Sequence, residues 1–421
     1  MLDGVHINVP GGLDFSLPKM ARVRQTFERH TLADVGQTVT DQLARPDIAA
    51  TITPGARIAV GVGSRGVANI DIAVKALIAG LKARGAEPFI FPAMGSHGGG
   101  TAEAQAGLLA GYGITEETMG APVRSNMDTV VVANTDNGTP IHMDKYAHGA
   151  DGVVVINRVK PHTSYRGPTE SGVIKMLIIG MGNIAGASAI HSGYPLDDFA
   201  TALPHAAEVL MRHIPFLFGI GMVEDAHETT AIVEAMTGET LHDRESLLQS
   251  RARELMARLP FDDIDVLVVD EIGKNISGSG ADPNVTGRNA RSAAGFEKPR
   301  VKKMVLLDLN DATKGNATGY ASADVITQRL LDRTDFAVTY ANIVTSSYLE
   351  SAKIPIPMAT GDEAVRLAIK TLHNTDPMTT RIVRIRNTLE LGEIHVSEPM
   401  LDEVRGHDQL KVIGAPAEMT Y

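Results

Sequence analysis

Short apolar runs alternate with amphipathic stretches through the first half of the chain. Residues 57–63 form an apolar run bounded by glycines, which is typical of a buried strand. Apolar residues then recur at helical spacing, and a second apolar run follows at residues 88–92. Residues 56–92 are therefore predicted to form a strand, a helix and a parallel strand. Further strands are predicted at residues 129–133, 152–157 and 216–221, and helices at residues 198–212 and 241–259.

A domain boundary is predicted near Pro260. A long charged helix ends there, and a new apolar run at residues 266–269 indicates a buried strand. The second part of the chain repeats the alternation, with a strand predicted at residues 305–309 and a capping box formed by Thr360 and Glu363 at the start of a helix.

The predicted fold class is α/β, with two α/β domains whose sheets are rich in parallel strands and a candidate active site in the cleft between them. Residues 1–262 are predicted to form an N-terminal domain that carries the candidate catalytic histidines and the candidate cofactor-binding Lys175, which are described below. Residues 263–394 are predicted to form a C-terminal domain that closes the cleft. The segment at about residues 395–421 can return to the N-terminal domain.

Composition narrows the function classes. The 421 residues are 43% apolar and 21% charged, which is the balance of a globular protein with a sizeable core. The absence of cysteine excludes disulfides, thiolate zinc sites and iron–sulfur clusters, so any metal must bind histidine, carboxylate or a cofactor. A net charge of −11 argues against nucleic acid or an anionic membrane as the main partner. Neither a signal peptide nor a membrane span is indicated, and we expect a cytoplasmic location.

A glycine-rich segment follows the first predicted strand. Residues 61–66 read Gly-Val-Gly-Ser-Arg-Gly and match the G-x-G-x-x-G pattern of dinucleotide sites. The next strand does not end in the Asp or Glu that would bind a ribose, which disfavours that interpretation. The segment is a tight turn or a ligand loop, and in the second case Arg65 projects into the crevice where open α/β sheets bind their ligands.

Two histidines follow predicted strands of the same sheet. His97 lies in a glycine-rich loop after the strand at residues 88–92, and His162 follows the strand at residues 152–157. Because the carboxyl ends of parallel strands meet at one edge of a sheet, both side chains are predicted to lie at the same rim. Imidazole titrates near neutral pH, which suits both histidines for proton transfer.

Lys175 is the single charged residue of a nearly apolar run at residues 172–180. Burial would lower the pKa of its amine and leave it nucleophilic. The residues alone favour another interpretation, in which the lysine extends from a packed helix towards solvent. His191 follows a stretch of small residues that permits close approach by a bulky ligand, although a lone histidine there is more often structural.

The order and spacing of five residues resemble the nickel-dependent lactate racemase family, whose members carry a nickel-pincer nucleotide. These residues are Arg65, His97, His162, Lys175 and His191. The resemblance runs over most of the chain. It implies that Lys175 forms a thioamide tether to the cofactor and that His191 binds nickel, the remaining donors of a square-planar site coming from the cofactor.

The resemblance also implies a reaction. The chain is expected to racemise or epimerise a 2-hydroxy acid by reversible hydride transfer, with His97 and His162 as acid/bases for opposite hands of the substrate. Arg65 and Lys274 are expected to bind the substrate, and Ser64 the cofactor. The implied partners are a small 2-hydroxy acid and the enzymes that make the cofactor, with no nucleic acid and no membrane.

The sequence departs from the family just before the lysine. Family members usually have Ser-Gly-Gly there, with a shorter gap back to the second histidine. This chain reads Glu-Ser-Gly-Val-Ile, and Lys175 follows His162 by thirteen positions. The departure is consistent with a divergent branch and a substrate other than lactate, and Arg166 and Arg288 are candidates to bind a larger acid.

Two alternative functions remain: a zinc hydrolase using three of the histidines, and a carrier of the nickel nucleotide. The three histidines of the zinc alternative are His97, His162 and His191.

Overall fold

The computed structural model describes residues 7–63 and 66–421, apart from the side chain of Thr345. In chain order the strands are β1 (Met20–Gln25), β2 (Arg57–Val62), β3 (Glu87–Pro92), β4 (Thr129–Asn134), β5 (Pro140–Asp144), β6 (Gly152–Arg158), β7 (Phe216–Glu224), β8 (Thr230–Thr237), β9 (Asp263–Ile272), β10 (Arg300–Leu309), β11 (Val325–Thr327), β12 (Ile356–Met358), β13 (Ile382–Ile385), β14 (Glu393–Ser397) and β15 (Leu410–Val412).

The helices connect these strands. In chain order they are α1 (Val35–Ala44), α2 (Pro46–Ala49), α3 (Ile70–Ala83), α4 (Ala102–Gly111), α5 (Glu116–Met119), α6 (Lys145–His148), α7 (Val173–Lys175), α8 (Asn183–Gly193), α9 (Phe199–Met211), α10 (Leu241–Leu255), α11 (Pro283–Thr286), α12 (Gln328–Asp332), α13 (Phe336–Thr345), α14 (Gly361–Lys370) and α15 (Leu401–Arg405). A π-helical turn, Met176–Gly180, continues α7.

The chain divides into two compact units. The central unit comprises Arg29–Met256, and the terminal unit comprises Met1–Glu28 with Ala257–Tyr421. Both contain sheets rich in parallel strands with helices between them, so the predicted α/β class is confirmed. Among the described residues no single helix is long and apolar enough to cross a membrane; Val173–Gly180 and Asn183–Gly193 reach that length and composition only together, with a bend of 102°.

The central unit is built on a five-stranded sheet with the order β3-β2-β6-β7-β8. The first four strands are parallel, and β8 is antiparallel to β7. The predicted strand–helix–strand unit is confirmed as β2, α3 and β3, and the inward face of α3 is fully buried at Val74, Leu77 and Leu81. Each such side chain contributes about 1.5–3 kcal/mol by burial. A separate hairpin, β4 and β5, lies outside this sheet.

The terminal unit contains an eight-stranded sheet with the order β12-β11-β10-β9-β13-β14-β1-β15. The five strands from β12 to β13 are parallel, whereas β14, β1 and β15 are antiparallel to their neighbours. The predicted capping box is present, because Thr360 Oγ1 accepts the N–H of Glu363 and the Glu363 carboxylate accepts the N–H of Thr360.

The division between the units differs from the predicted one at both ends of the chain. The prediction places all of residues 1–262 in one N-terminal domain, whereas β1 pairs with β14 and β15 of the terminal unit. The segment 395–421 also stays in the terminal unit. A pairing between β1 and a strand more than three hundred residues later leaves no local signal, since the alternation of β1 shows only that one face is buried.

Candidate active site

Four of the predicted site residues lie in the central unit: His97, His162, Lys175 and His191. Ser64 and Arg65 lie outside the described residues. The loop that carries His97 follows β3, and the loop that carries His162 follows β6. Because β3 and β6 flank β2 in a parallel arrangement, both loops leave the sheet at its carboxyl edge, as predicted.

The His97 loop is fixed against the π-helical turn that follows Lys175. Gly95 has a positive φ of 58°, and its N–H donates to the Gly180 carbonyl at 3.0 Å. A side chain at Gly95 would bring a Cβ to 3.0 Å from the Ile179 carbonyl oxygen, so glycine permits this close approach. From α4, the fully buried Gln105 donates through Nε2 to the carbonyls of Gly95 (2.9 Å) and His97 (3.0 Å).

Lys175 is held in place through the start of its helix. The carboxylate of Glu245, on α10, accepts the N–H groups of Val173 at 2.7 Å and Ile174 at 3.2 Å. Gly172 leaves room for this contact, because a Cβ there would lie 2.7 Å from Cδ of Glu245. Burial raises the pKa of Glu245 to about 7, against the opposing effect of the two N–H groups. Lys175 itself is half-buried, so it is more exposed than its apolar flanks suggested.

A sharp bend separates the helix of Lys175 from the helix of His191. The bend is 102°, and Asn183 at its corner has a φ of 50°. The Asn183 amide donates to the carboxylate of Asp144 at 3.1 Å, and the Asn126 amide donates to the same carboxylate at 3.0 Å. Burial raises the pKa of Asp144 despite these hydrogen bonds. The hairpin of β4 and β5, which ends at Asp144, thus fixes the corner before α8.

The His191 imidazole is favoured in its neutral form. Burial, and after it the positive charge of Lys175, lower its pKa from 6.5. Its ring packs against Phe199 with a centroid distance of 5.1 Å. Within residues 7–63 and 66–421, neither ring nitrogen of His191 makes a hydrogen bond. A neutral ring whose nitrogens are not occupied can bind a metal.

The His162 ring has a defined hydrogen-bond pattern. Its Nδ1 accepts the N–H of Ser164 at 3.1 Å, which places the proton of the neutral ring on Nε2. Its backbone N–H donates to the carboxylate of Glu170 at 2.5 Å. The ring lies 4.4 Å from that of Tyr165, whose hydroxyl donates to the Glu170 carbonyl.

Aromatic contacts connect His162, which precedes Lys175 in the sequence, to His191, which follows it. The ring of Tyr165 meets that of Phe199 edge-on at 5.8 Å, and Phe199 in turn contacts His191. Ring contacts therefore run from His162 through Tyr165 and Phe199 to His191. The His97 loop contacts the neighbouring π-helical turn through Gly95 and Gly180.

Sequence reasoning missed the buried charges around the His162 loop. Glu170 has no exposed side-chain surface, and its Oε1 lies 2.6 Å from Nη2 of Arg253 on α10. The same Nη2 donates to the Gly167 carbonyl at 2.5 Å. The available signal was the spacing of Glu245 and Arg253, which places both on one face of a helix that otherwise reads as charged and solvated.

Three other cationic candidates are bonded to the backbone. Lys274 lies in the terminal unit after β9, and its ammonium donates to the Gly278 carbonyl at 2.7 Å. Arg166 donates to the His162 carbonyl at 3.1 Å and so belongs to that loop. In the terminal unit, Arg288 donates to backbone carbonyls and pairs with Asp324 at 2.9 Å.

The donor set limits which metal chemistry fits. In the part of the chain that the structure describes, no three His, Asp or Glu side chains are grouped to hold a metal ion. His97, His162 and His191, which all lie within the described residues, are thus not grouped as the three-histidine zinc site of the hydrolase alternative. A site in which His191 is one ligand and a bound group supplies the others remains compatible with the donors present.

Comparison with known proteins gives a likeness of fold. No family model matches the chain, and no curated protein does. The lactate racemase apoprotein from Thermoanaerobacterium thermosaccharolyticum is similar over 88% of this chain and 99% of its own, with a TM-score of 0.56 and 12% identity. A Thermotoga maritima protein is similar over 67% of this chain and 72% of its own, with a TM-score of 0.47 and 16% identity, and supports no conclusion. The chain therefore has a lactate racemase-like α/β fold.

Proposed function

We propose that this protein is a racemase or epimerase of a 2-hydroxy acid that uses a nickel-pincer nucleotide. The observation that carries the proposal is the proximity of Lys175 and His191, which lie on two helices joined by a bend of 102°. Burial and, after it, the nearby lysine charge lower the pKa of the His191 imidazole. The lactate racemase-like fold supports the same reaction class.

The residues present fit such a cofactor. His191 offers a neutral imidazole as a single protein ligand, which suits a metal whose other donors belong to the cofactor. Lys175, half-buried on the neighbouring helix, would bind the cofactor covalently. When bound, the nickel-pincer nucleotide supplies reversible acceptance of a hydride from the substrate carbon.

His97 and His162 would move the proton of the substrate hydroxyl. His97 lies on a loop whose backbone is fixed by Gln105, so its ring is suited to act as a base from a stable position. His162 carries its proton on Nε2 while Nδ1 accepts from Ser164. For Nε2 to accept a proton, the ring must first bear a proton on Nδ1, and the Ser164 contact must then be given up.

Mass spectrometry and nickel quantitation test the proposal directly. The protein is produced together with cofactor-biosynthesis enzymes, and a panel of 2-hydroxy acids is then screened for racemisation. We expect an added nucleotide mass and near-stoichiometric nickel that are lost in Lys175→Ala. Lys274→Ala is the matched control, because its ammonium is bonded within its own loop in the terminal unit, and it should keep both. Folded protein with neither nickel nor nucleotide would contradict the proposal.

A further inference from the structure

Helix α10 carries polar residues on the side that faces the protein interior. Glu245 is 1% exposed and Gln249 is fully buried, and Arg253 follows with a mostly buried side chain. These residues are spaced by four, so they lie along one face of the helix. The solvent side of the same helix carries an ordinary exposed pair, Arg251 with Glu254.

The N-terminal half of this face holds the helix of Lys175. The first N–H groups of any helix have no partner within it, and here Glu245 accepts those of Val173 and Ile174. Lys175 is the next residue. Any displacement of Glu245 therefore shifts or frays the turn from which the Lys175 side chain projects.

The C-terminal half of the same face holds the His162 loop. Arg253 pairs with Glu170, and Glu170 accepts the backbone N–H of His162 at 2.5 Å and that of Gly167 at 3.1 Å. Because Glu170 is fully buried, its charge depends on guanidinium groups for compensation, from Arg253 at 2.6 Å and from Arg166 at 3.5 Å. Arg253 thus acts on the His162 backbone through one intermediary.

Two further observations connect the halves. Burial raises the pKa of Tyr165, and the charges of Glu170 and Glu245 raise it further, so one ring lies near both carboxylates. Gln249 lies between Glu245 and Arg253 on the helix, and neither its Nε2 nor its Oε1 has a hydrogen-bond partner among the described residues. A buried amide without a partner is costly, so packing alone does not account for Gln249 on this face.

We propose that α10 is a positioning element that holds both the Lys175 helix and the His162 loop, with Glu245 and Arg253 as its positioning residues. The two residues are eight positions apart, so one rigid helix sets a spacing of about 12 Å between the two attachment points. The inference rests on the proposed function for its catalytic meaning. The attachment of both segments to α10 is a property of the chain without cofactor.

Amide hydrogen exchange of the full, cofactor-free chain tests the two attachments to α10. In Glu245→Met, which removes both acceptors at similar size, exchange of residues 173–176 should accelerate about tenfold, with residues 162–170 unchanged. In Arg253→Met, exchange of residues 162–170 should accelerate, with residues 173–176 unchanged. Glu245→Gln keeps an acceptor and should restore protection. Glu254→Ala and Arg251→Ala are the matched controls on the exposed side of α10 and should change neither segment.

Acylation of Lys175 by a small amine-reactive reagent, followed by peptide mass spectrometry, separates positioning from general stability. The acylation rate of Lys175 should differ from the wild-type rate in Glu245→Met. It should return to the wild-type rate in Glu245→Gln and equal that rate in Glu254→Ala. Folded Glu245→Met with unchanged exchange and acylation, or with exchange raised evenly over the central unit, overturns the proposal. If Glu245→Met does not fold, Glu245→Asp, whose carboxylate is shorter by one methylene, decides by the same criteria. Because no readout requires cofactor or turnover, a failure here is distinguishable from a failure of the racemase proposal.

Discussion

The positive charge of Lys175 acts on the His191 imidazole across the bend that joins their helices. Burial is the larger cause of the lowered His191 pKa, and the lysine charge is the second. A neutral His191 at physiological pH is available to bind a metal, whereas a protonated ring is not. The same proximity that would place both residues on one cofactor therefore also prepares the histidine before the cofactor arrives.

The His191 pKa is predicted to lie below 6.5 in the cofactor-free protein and to rise in Lys175→Met. Removal of the positive charge favours the protonated ring, while the burial that remains keeps the pKa below its ordinary value. Histidine titration by NMR measures the His191 pKa in the wild-type protein and in Lys175→Met. Lys145→Met, at an exposed lysine that pairs with Asp128, is the control and should leave the His191 pKa unchanged. An unchanged value in Lys175→Met would show that the charge does not reach the ring.

Glu245 is predicted to make the central unit less stable as the pH rises. Its folded-state pKa of about 7 lies above the ordinary 4.5, so between these values the folded chain keeps a proton that the unfolded chain has lost. Stability from this group is fully present below pH 4.5 and declines through the window up to pH 7. The loss amounts to about 3 kcal/mol at the full shift.

Urea unfolding at pH 5 and pH 8 measures this dependence, and Glu245→Gln isolates it. Histidines with lowered pKa values, such as His142 and His395, change stability in the opposite direction, since they favour folding as the pH rises. They are present in both proteins, so only the difference between wild type and Glu245→Gln reports Glu245. The same pH dependence in the two proteins would contradict the raised pKa.

How far the sequence predicts this site depends on whether the signal is local. His97 and His162 were placed at one sheet edge because each follows an apolar run, and the parallel order of β3, β2 and β6 confirms that edge. Glycine patterns likewise marked the His97 loop, where Gly95 approaches the backbone after Lys175. Strand and loop positions of this kind follow from periodicity over a few residues.

The supporting charges could not be predicted in the same way. Glu245 and Glu170 lie 75 positions apart, and each is buried by elements that are distant in sequence. A charged residue in a helix is usually solvated, so the charged helix predicted at residues 241–259 gave no sign of a buried polar face. Only the fold shows that one face of α10 meets the loop that carries His162 and the helix that carries Lys175.

His97→Ala is predicted to reduce turnover by about 10²–10⁴-fold while the nucleotide mass and nickel are retained, because loss of an acid/base leaves the cofactor attachment intact. Intact mass and a racemisation assay in each direction measure this. His162→Ala should affect the opposite direction more strongly in the first turnover. His205→Ala, at a half-exposed histidine beside Asp136, is the control and should keep full activity. Unchanged turnover in His97→Ala with cofactor bound would favour a carrier of the nickel nucleotide.

Gly172→Ala is predicted to destabilise the protein by about 1–3 kcal/mol, because its Cβ would lie 2.7 Å from Cδ of Glu245 in a fully buried position. Either the carboxylate withdraws from the start of α7 or the chain before Lys175 shifts. The matched control is Gly107→Ala on α4, where a Cβ meets nothing within 4 Å and alanine should stabilise the helix by about 0.5–1 kcal/mol. Urea unfolding of both variants measures the change in the free energy of unfolding, which should fall in Gly172→Ala and rise in Gly107→Ala. Nickel content after cofactor loading shows whether the displaced turn still supports attachment at Lys175. Gly172→Ala with wild-type stability would mean that Glu245 yields without cost, and its contact with Val173 and Ile174 would then not restrain the lysine.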